Sequence, residues 1–290
     1  MKRMMLLLSA AILTASCTQK GGAPDADTKH VITVTLEPLR YFAEQIAGEH
    51  FRVVSMVPEG SSPETYDPTP QQLVDLADSK AYLRIGHIGF EQVWMKRLTA
   101  HAPHMQVFDT SEGVDFIREE GHSHHGHSHA GGIEPHVWNS PENARIIARN
   151  VCRALCRIDS THTAFYTHRL DSLNRVIAQT DSTVRALLNH KADRAFLIYH
   201  PALSYFARYY KLEQICLEEG GKEPSAAHLK QLIGQCRKKG VNKVFIQKEF
   251  DSRNAELAAK ETGAVTVVIN PLNYRWDEEL ILTAKALQNE

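Results

Sequence analysis

The feature that most constrains the fold is a regular alternation of short apolar strands with helical segments, in two blocks along the chain. Because neighbouring parallel strands need a crossover of a dozen or more residues, usually a helix, this spacing predicts parallel α/β units. The second block repeats the order of the first. The strands predicted by period and composition are residues 31–36, 51–57, 81–85 and 106–108, then 195–199, 213–217, 243–247 and 264–269.

One long helical pattern separates the two blocks. After Asp159, apolar side chains recur at helical spacing over roughly 30 residues without Pro or Gly. A helix of this length reaches ~40 Å, enough to run along a molecule of two lobes. We therefore predict an α/β fold of two lobes, each with a parallel sheet flanked by helices. The lobes cover residues 31–158 and 191–290, and one long connecting helix at 159–190 joins them.

Charge and length narrow the classes of function. The chain has 290 residues, enough for two hydrophobic cores, and 33 Lys and Arg against 34 Asp and Glu. This balance gives no net attraction for nucleic acid or for an anionic membrane surface. We expect a protein that does not bind nucleic acid.

Histidine is the unusual component, with 16 residues. Five of them lie in a loop at 119–132, separated by Ser and Gly with no apolar periodicity, so we expect this loop on the surface. Neutral imidazoles on such a segment bind zinc, copper or nickel weakly, as an accessory to a main site. The alternative is a solvated loop with no role. The five are His122, His124, His125, His127 and His129.

The N-terminus has the features of an export signal, with a positive start and an apolar stretch too short to span a bilayer. It ends in Thr14-Ala15-Ser16-Cys17, which resembles the lipobox of bacterial lipoproteins, where the cysteine is lipidated after cleavage. We predict a lipoprotein-type signal peptide at 1–17 and a flexible tether at 18–30. The protein is then exported, periplasmic or at the cell surface, and anchored to a membrane through Cys17. Ordinary signal cleavage, which releases a soluble protein, is the alternative.

Four further cysteines lie in the two lobes. Cys152 and Cys156 are four apart in a helical pattern, which favours burial as small apolar side chains over a bridge. Cys216 and Cys236 can pair in an oxidising compartment, and the sequence leaves that pairing open.

Three short segments place metal-ligating side chains near the ends of strands, where α/β sheets bind ligands. Together they resemble the zinc and manganese solute-binding proteins of ABC importers, and the likeness extends from Val31 to the C-terminus. Four motifs in order and at compatible distances make the resemblance specific, since a later Asn-Pro-Leu also matches. The three segments are Pro58-x-Gly-x-x-Pro63-Glu64-x-Tyr66-Asp67-Pro68, Glu134-Pro135-His136-Val137-Trp138 and Tyr199-His200-Pro201, and the fourth motif is Asn270-Pro271-Leu272.

The resemblance implies one metal clamped between two lobes, with ligands from both. His136 and His200 match ligands of the family, Glu64 stands where the family has a histidine, and Asn270 stands where it has an aspartate. Both departures leave an oxygen ligand, although Asn270 has only a neutral carbonyl. Glu249 is a possible fourth ligand in place of Asn270. Glu134 is expected beside His136, where a carboxylate orients a ligating imidazole.

The expected function is high-affinity capture of a divalent metal and its delivery to the permease and ATPase of an ABC importer, by a monomer that is not an enzyme. Two imidazoles with oxygen ligands suit zinc, manganese or iron(II), and the histidine loop favours zinc over manganese. A zinc hydrolase using His136, His200 and Glu64 is an alternative, but it needs a general base and the sequence has no H-E-x-x-H motif. A binding protein for a chelated ligand is another, and it would not need these histidines.

Overall fold

The computed structural model describes residues 30–118, 132–189, 195–218, 221–250 and 252–288. The predicted signal peptide with Cys17, residues 18–29 of the tether and the five histidines of the loop lie outside the described residues. None of the helices in the described ranges is both long and apolar enough to cross a membrane.

The first lobe is built on a parallel sheet with the strand order β2-β1-β3-β4. The central strand β1 is buried along four of its five residues, as expected for a strand covered on both faces. Helices α1 and α4 pack together and cover the sheet. The elements are β1 (His30–Val34), α1 (Glu37–Ala47), β2 (Phe51–Ser55), α2 (Pro70–Leu76), β3 (Ser79–Arg84), α3 (Gly89–His101), β4 (Gln106–Asp109) and α4 (Pro141–Ile158).

Local signals start two of these helices. At α2, Thr69 accepts from the backbone of Gln72 while the Gln72 side chain accepts from the Thr69 backbone, so a capping box fixes the end of the loop before it. Ser140 occupies the N-cap position of α4 as predicted, followed by Pro141, but its side chain makes no capping hydrogen bond. The fixed φ of Pro141 is the remaining local signal for this start.

The connecting helix is α5 (Thr163–Leu188), 26 residues long, and it follows a 3-10 turn at Ser160–His162. At 1.5 Å per residue it extends about 39 Å. Its buried residues include Tyr166, Leu173, Ile177 and Val184, which share the helical spacing seen in the sequence. They pack against helices of the first lobe and against the last helix of the chain.

The second lobe repeats the architecture, with a parallel sheet in the order β6-β5-β7-β8. Both sheets therefore change winding direction beside their first strand, and open α/β sheets bind ligands beyond the carboxyl ends of strands at this point. The predicted fold of two α/β lobes and a connecting helix is confirmed. The elements are β5 (Ala195–Ile198), α6 (Ser204–Tyr210), β6 (Glu213–Cys216), α7 (Ala226–Lys238), β7 (Lys243–Gln247), α8 (Arg253–Thr262), β8 (Val265–Ile269) and α9 (Trp276–Leu287).

Direct hydrogen bonds join the lobes near the site. The Trp138 indole donates to the Pro271 carbonyl at 2.8 Å, and the Trp276 indole donates to the Trp138 carbonyl at 2.7 Å. The Asn139 amide donates to the Ala202 carbonyl at 2.8 Å. Both indoles are 1% exposed, so these bonds form inside a core shared by the two lobes.

The four cysteines of the lobes are unbridged in the described part of the chain. Cys152 is buried and Cys156 is half-buried, with their sulfur atoms 4.0 Å apart on one face of α4. Burial, together with the neighbouring Cys156, raises the pKa of the Cys152 thiol to about 12, so this thiol is protonated at neutral pH.

Candidate metal centre

A pocket that is partly open to solvent lies where the two lobes meet. The first lobe contributes the loop after β2 and the segment before α4, and the second lobe contributes the residues that follow β5, β7 and β8. Both halves of the cavity are thus formed by loops at the carboxyl ends of strands. The lining residues are Ser62, Pro63, Glu64, His136, His200, Ala202, Gln247, Glu249, Phe250, Pro271 and Leu272.

His136 is 4% exposed and its imidazole is held by Glu134. One carboxylate oxygen of Glu134 accepts from the His136 backbone at 3.0 Å and also contacts Nδ1 of the ring. Burial alone would raise the pKa of the Glu134 carboxyl, but His136 beside it holds the pKa below its ordinary value. An ionised Glu134 accepts the Nδ1 proton, which leaves Nε2 of His136 as a free electron-pair donor.

His200 is 7% exposed and is held from three sides. Gln247 at the end of β7 accepts from the His200 backbone N–H at 3.3 Å and donates to its carbonyl at 2.7 Å. Nδ1 lies 2.6 Å from a carboxylate oxygen of Glu218, and the ring stacks on Phe250 with centroids 4.9 Å apart. The second imidazole therefore also has its Nε2 free to bind.

The two Nε2 atoms face each other across the lobes at 3.3 Å. Each Nδ1 has a carboxylate partner, so we assign the ring proton to Nδ1 in both histidines. The electron pairs of the two Nε2 atoms then point into the same small space. Two nitrogens bound to one tetrahedral zinc at about 2.0–2.1 Å lie roughly 3.3–3.4 Å apart. The separation of the two histidine nitrogens therefore matches that of two ligands on a shared metal ion.

Glu64 lies in the loop after β2, and its neighbours fix this loop. The Phe90 backbone donates to the Pro63 carbonyl at 2.8 Å, and the Trp94 indole donates to Asp67 at 2.9 Å. Gly89 lies so close that a Cβ there would be 2.5 Å from a carboxylate oxygen of Glu64. The absence of a side chain at position 89 thus leaves room for the Glu64 carboxylate.

The structure treats the two candidate fourth ligands differently. Asn270 uses its side-chain oxygen to accept from the Leu272 backbone at 3.2 Å, and it is not one of the residues that line the cavity. Its backbone donates to the buried carboxylate of Glu279 at 2.7 Å. Glu249 does line the cavity, and its buried Oε1 has no hydrogen-bond partner among the described residues.

The structure thus brings Glu64, His136, His200 and Glu249 to one cavity, places Glu134 behind His136, and uses Asn270 in a turn. Within the described ranges, no three His, Cys, Asp or Glu side chains are already close enough together to hold an ion. His136 and His200 contact each other, and Glu64 and Glu249 line the same pocket without closing around a common point.

Sequence reasoning missed Glu218 and the contact of Gln247 with His200. Glu218 lies two residues beyond the end of β6, so an acidic residue near the carboxyl end of a parallel strand was the available signal. The loop with five histidines lies outside the described residues, but Arg118 and Ile133 on either side of it form an antiparallel bridge. The Glu134 backbone donates to the Ile117 carbonyl at 3.0 Å, so the described residues that flank the loop on its two sides lie near the His136 segment.

A sequence model of the family described as "Zinc-uptake complex component A periplasmic", ZnuA, matches residues 32–280. The chain belongs to this family. The family is one of periplasmic solute-binding proteins, in agreement with the expectation of a protein that is not an enzyme.

Individual relatives match most of the length of the chain. The high-affinity zinc uptake system protein ZnuA of Bacillus subtilis is 25% identical over 291 residues, which cover 95% of this chain and 90% of the relative. The manganese ABC transporter substrate-binding lipoprotein scaA of Streptococcus gordonii is 25% identical, covering 89% and 85%. A crystal structure of ZnuA superimposes with a TM-score of 0.83 at 33% identity, covering 89% of this chain and 97% of that one.

Proposed function

We propose that the chain captures a divalent transition metal, zinc in preference to manganese, outside the cytoplasmic membrane and delivers it to an ABC importer. The observation that supports this most is the pair of buried imidazoles, one from each lobe, with facing Nε2 atoms at 3.3 Å. Burying two polar rings with their electron pairs opposed is unfavourable without a cation between them. A family of zinc-uptake components and relatives named for zinc and manganese fit this cargo.

The proposed ligands are His136, His200, Glu64 and Glu249. Two neutral imidazoles and two carboxylates neutralise the charge of a divalent ion and supply the four ligands of a zinc site. The carboxylates must move toward the imidazoles when the ion enters, because they line the cavity without closing around a common point. In this assignment Asn270 shapes the loop that places Pro271 and Leu272, and it does not bind the metal.

Zinc is proposed before manganese because nitrogen ligands bind zinc more strongly along the divalent series. The loop with five histidines, proposed to collect metal weakly, also favours a metal with high affinity for imidazole. The partners are the membrane permease and its ATPase, and the chain works as a monomer anchored through a lipid on Cys17. The relatives named as lipoproteins support that anchor.

Titration calorimetry with zinc and with manganese, on the chain without residues 1–17, tests the function. We expect about one tight zinc site, weaker manganese binding, and further weak zinc binding that disappears when 119–131 is deleted. His136→Ala and His200→Ala together should abolish the tight site, whereas His101→Ala on the exposed end of α3 should leave it unchanged. Full tight binding by the double variant would refute the proposed centre.

The fourth ligand needs a matched pair of variants. Glu249→Gln keeps the size of the side chain but removes its charge, so zinc affinity should fall at least about tenfold, or about 1.4 kcal/mol. Asn270→Ser retains an oxygen that accepts from the Leu272 backbone and should change affinity by less than about twofold. The opposite order would assign Asn270 as the ligand and Glu249 to the wall.

A further inference from the structure

We propose that Glu218 is a positioning residue that fixes the tautomer and the ring orientation of His200, so that Nε2 faces the cavity. Its effect on metal affinity rests on the function proposed above, whereas the tautomer of His200 is a property of the chain without metal. Glu218 follows the edge strand β6 and is not one of the residues that line the cavity. It acts through His200.

The contact between the two side chains is short and buried. Nδ1 of His200 lies 2.6 Å from Oε2 of Glu218, and the two side chains are 9% and 10% exposed. A carboxylate accepts hydrogen bonds and has none to give, so it holds the ring proton on Nδ1. The electron pair of Nε2 is then directed at Nε2 of His136, 3.3 Å away.

Glu218 can hold the ring because its own backbone is fixed. The Leu217 backbone donates to the Ile198 carbonyl at 2.8 Å, and the Glu218 backbone donates to the Tyr199 carbonyl at 3.0 Å. These two bonds continue the pairing of β5 with β6 beyond the ends of both strands. The Glu218 carboxylate and the His200 imidazole thus extend from two neighbouring backbone segments that are hydrogen-bonded to each other. Little conformational entropy is lost when these two side chains pair.

The two lobes achieve the same result by different routes. In the first lobe Glu134 is two residues from His136 and belongs to the same segment. In the second lobe the carboxylate is 18 residues away along the chain and comes from the segment that follows the neighbouring strand. Each lobe therefore supplies one imidazole together with the carboxylate that orients it, and only the first pair is local in sequence.

Without Glu218, His200 can place its proton on Nε2, which points a hydrogen at the metal position. The ring also loses one of the three contacts that hold it, leaving Gln247 on its backbone and Phe250 on its face. Loss of a carboxylate behind a ligating histidine typically weakens metal binding 10–100-fold. We expect a loss of zinc affinity in this range for Glu218→Ala.

The test uses Glu218→Ala, Glu218→Gln and the control Glu213→Ala. Glu213 lies at the other end of β6 and pairs with Lys239 at the surface, so its removal changes the charge of the same strand without touching His200. Glu218→Gln keeps an oxygen that can accept from Nδ1 and should retain part of the tautomer preference. If Glu218→Ala does not fold, Glu218→Met fills the same space without an acceptor.

Nitrogen-15 NMR of the metal-free chain reports the tautomer of His200, and zinc titration reports the affinity. We expect the Nδ1–H tautomer in the parent chain and in Glu213→Ala, and its loss in Glu218→Ala together with a 10–100-fold weaker zinc site. An unchanged tautomer in Glu218→Ala would overturn the proposal, whatever the zinc affinity. If the parent chain itself binds no zinc, the proposed function fails, and the NMR result still decides the role of Glu218.

Discussion

Glu91 makes the stability of the first lobe depend on pH. It lies in the first turn of α3, is 2% exposed, and accepts from the Ile85 backbone at 2.9 Å. It also accepts from the Gly86 backbone and the Thr35 hydroxyl, so it ties together the carboxyl ends of β1 and β3. Burial raises the pKa of its carboxyl from 4.5 to about 7, although these three hydrogen bonds lower it in part.

The raised pKa sets both the sign and the size of the effect. The folded chain binds this proton more tightly than the unfolded chain, so the proton stabilises the fold below pH 4.5 and the gain is lost as pH rises through about 7. Each pKa unit corresponds to 1.36 kcal/mol, so a shift from 4.5 to about 7 gives about 3 kcal/mol in total. Between pH 5 and pH 8 the contribution falls by about 2.5 kcal/mol.

Urea unfolding of the parent chain and of Glu91→Gln at several pH values between 5 and 8 measures this term. The amide of the Glu91→Gln variant cannot ionise, so position 91 adds nothing to the pH dependence of this variant. Its poorer hydrogen bonding lowers the free energy of unfolding by the same amount at every pH. As pH rises from 5 to 8, the unfolding free energy of the parent chain should fall by about 2.5 kcal/mol relative to that of the variant. Parallel profiles would refute the reasoning.

Three further results are expected. Gly89→Ala should weaken zinc binding roughly tenfold without removing a ligand, because its Cβ would lie 2.5 Å from a Glu64 oxygen and displace that carboxylate; calorimetry checks this. Trp138→Phe leaves the buried Pro271 carbonyl without its donor at 2.8 Å and should cost about 1–3 kcal/mol in urea unfolding. Deletion of 119–131 should remove weak zinc binding and leave the tight site unchanged in titrations.

Each of these has its own comparison. Gly234→Ala is the control for Gly89→Ala, since a Cβ at Gly234 in α7 meets no atom within 4 Å and neither glycine has a positive φ. Trp94→Phe removes a more exposed indole bond, to Asp67 at 2.9 Å, and should cost less than Trp138→Phe. A tight zinc site that disappears with 119–131 would make that loop part of the main centre, contrary to our account.

The strands and helices were predictable because their signals are local. The spacing of apolar residues in α5 and the apolar run Val244–Ile246 in β7 indicate the period and burial of these elements without reference to distant residues. The repeated order of strands and helices then gives the parallel sheets. The His136 and His200 segments were identifiable from their motifs, and the cavity contains both residues.

The remaining features of the site depend on side-chain direction and on contacts between distant segments. Asn270 follows β8 as a ligand should, but the nearby Leu272 backbone takes up its side-chain oxygen. Glu249 reaches the cavity through a turn whose conformation the sequence does not specify. Glu218 meets His200 only because β5 and β6 are neighbours in the sheet, a pairing that follows from the three-dimensional fold.

Zinc anomalous diffraction from crystals of the chain loaded with one zinc ion tests the central claim most directly. Our account predicts a single strong peak between the lobes, about 2.0–2.1 Å from Nε2 of both His136 and His200, with carboxylate oxygens completing the site. A peak bound by only one of these imidazoles, or by other residues alone, would contradict it.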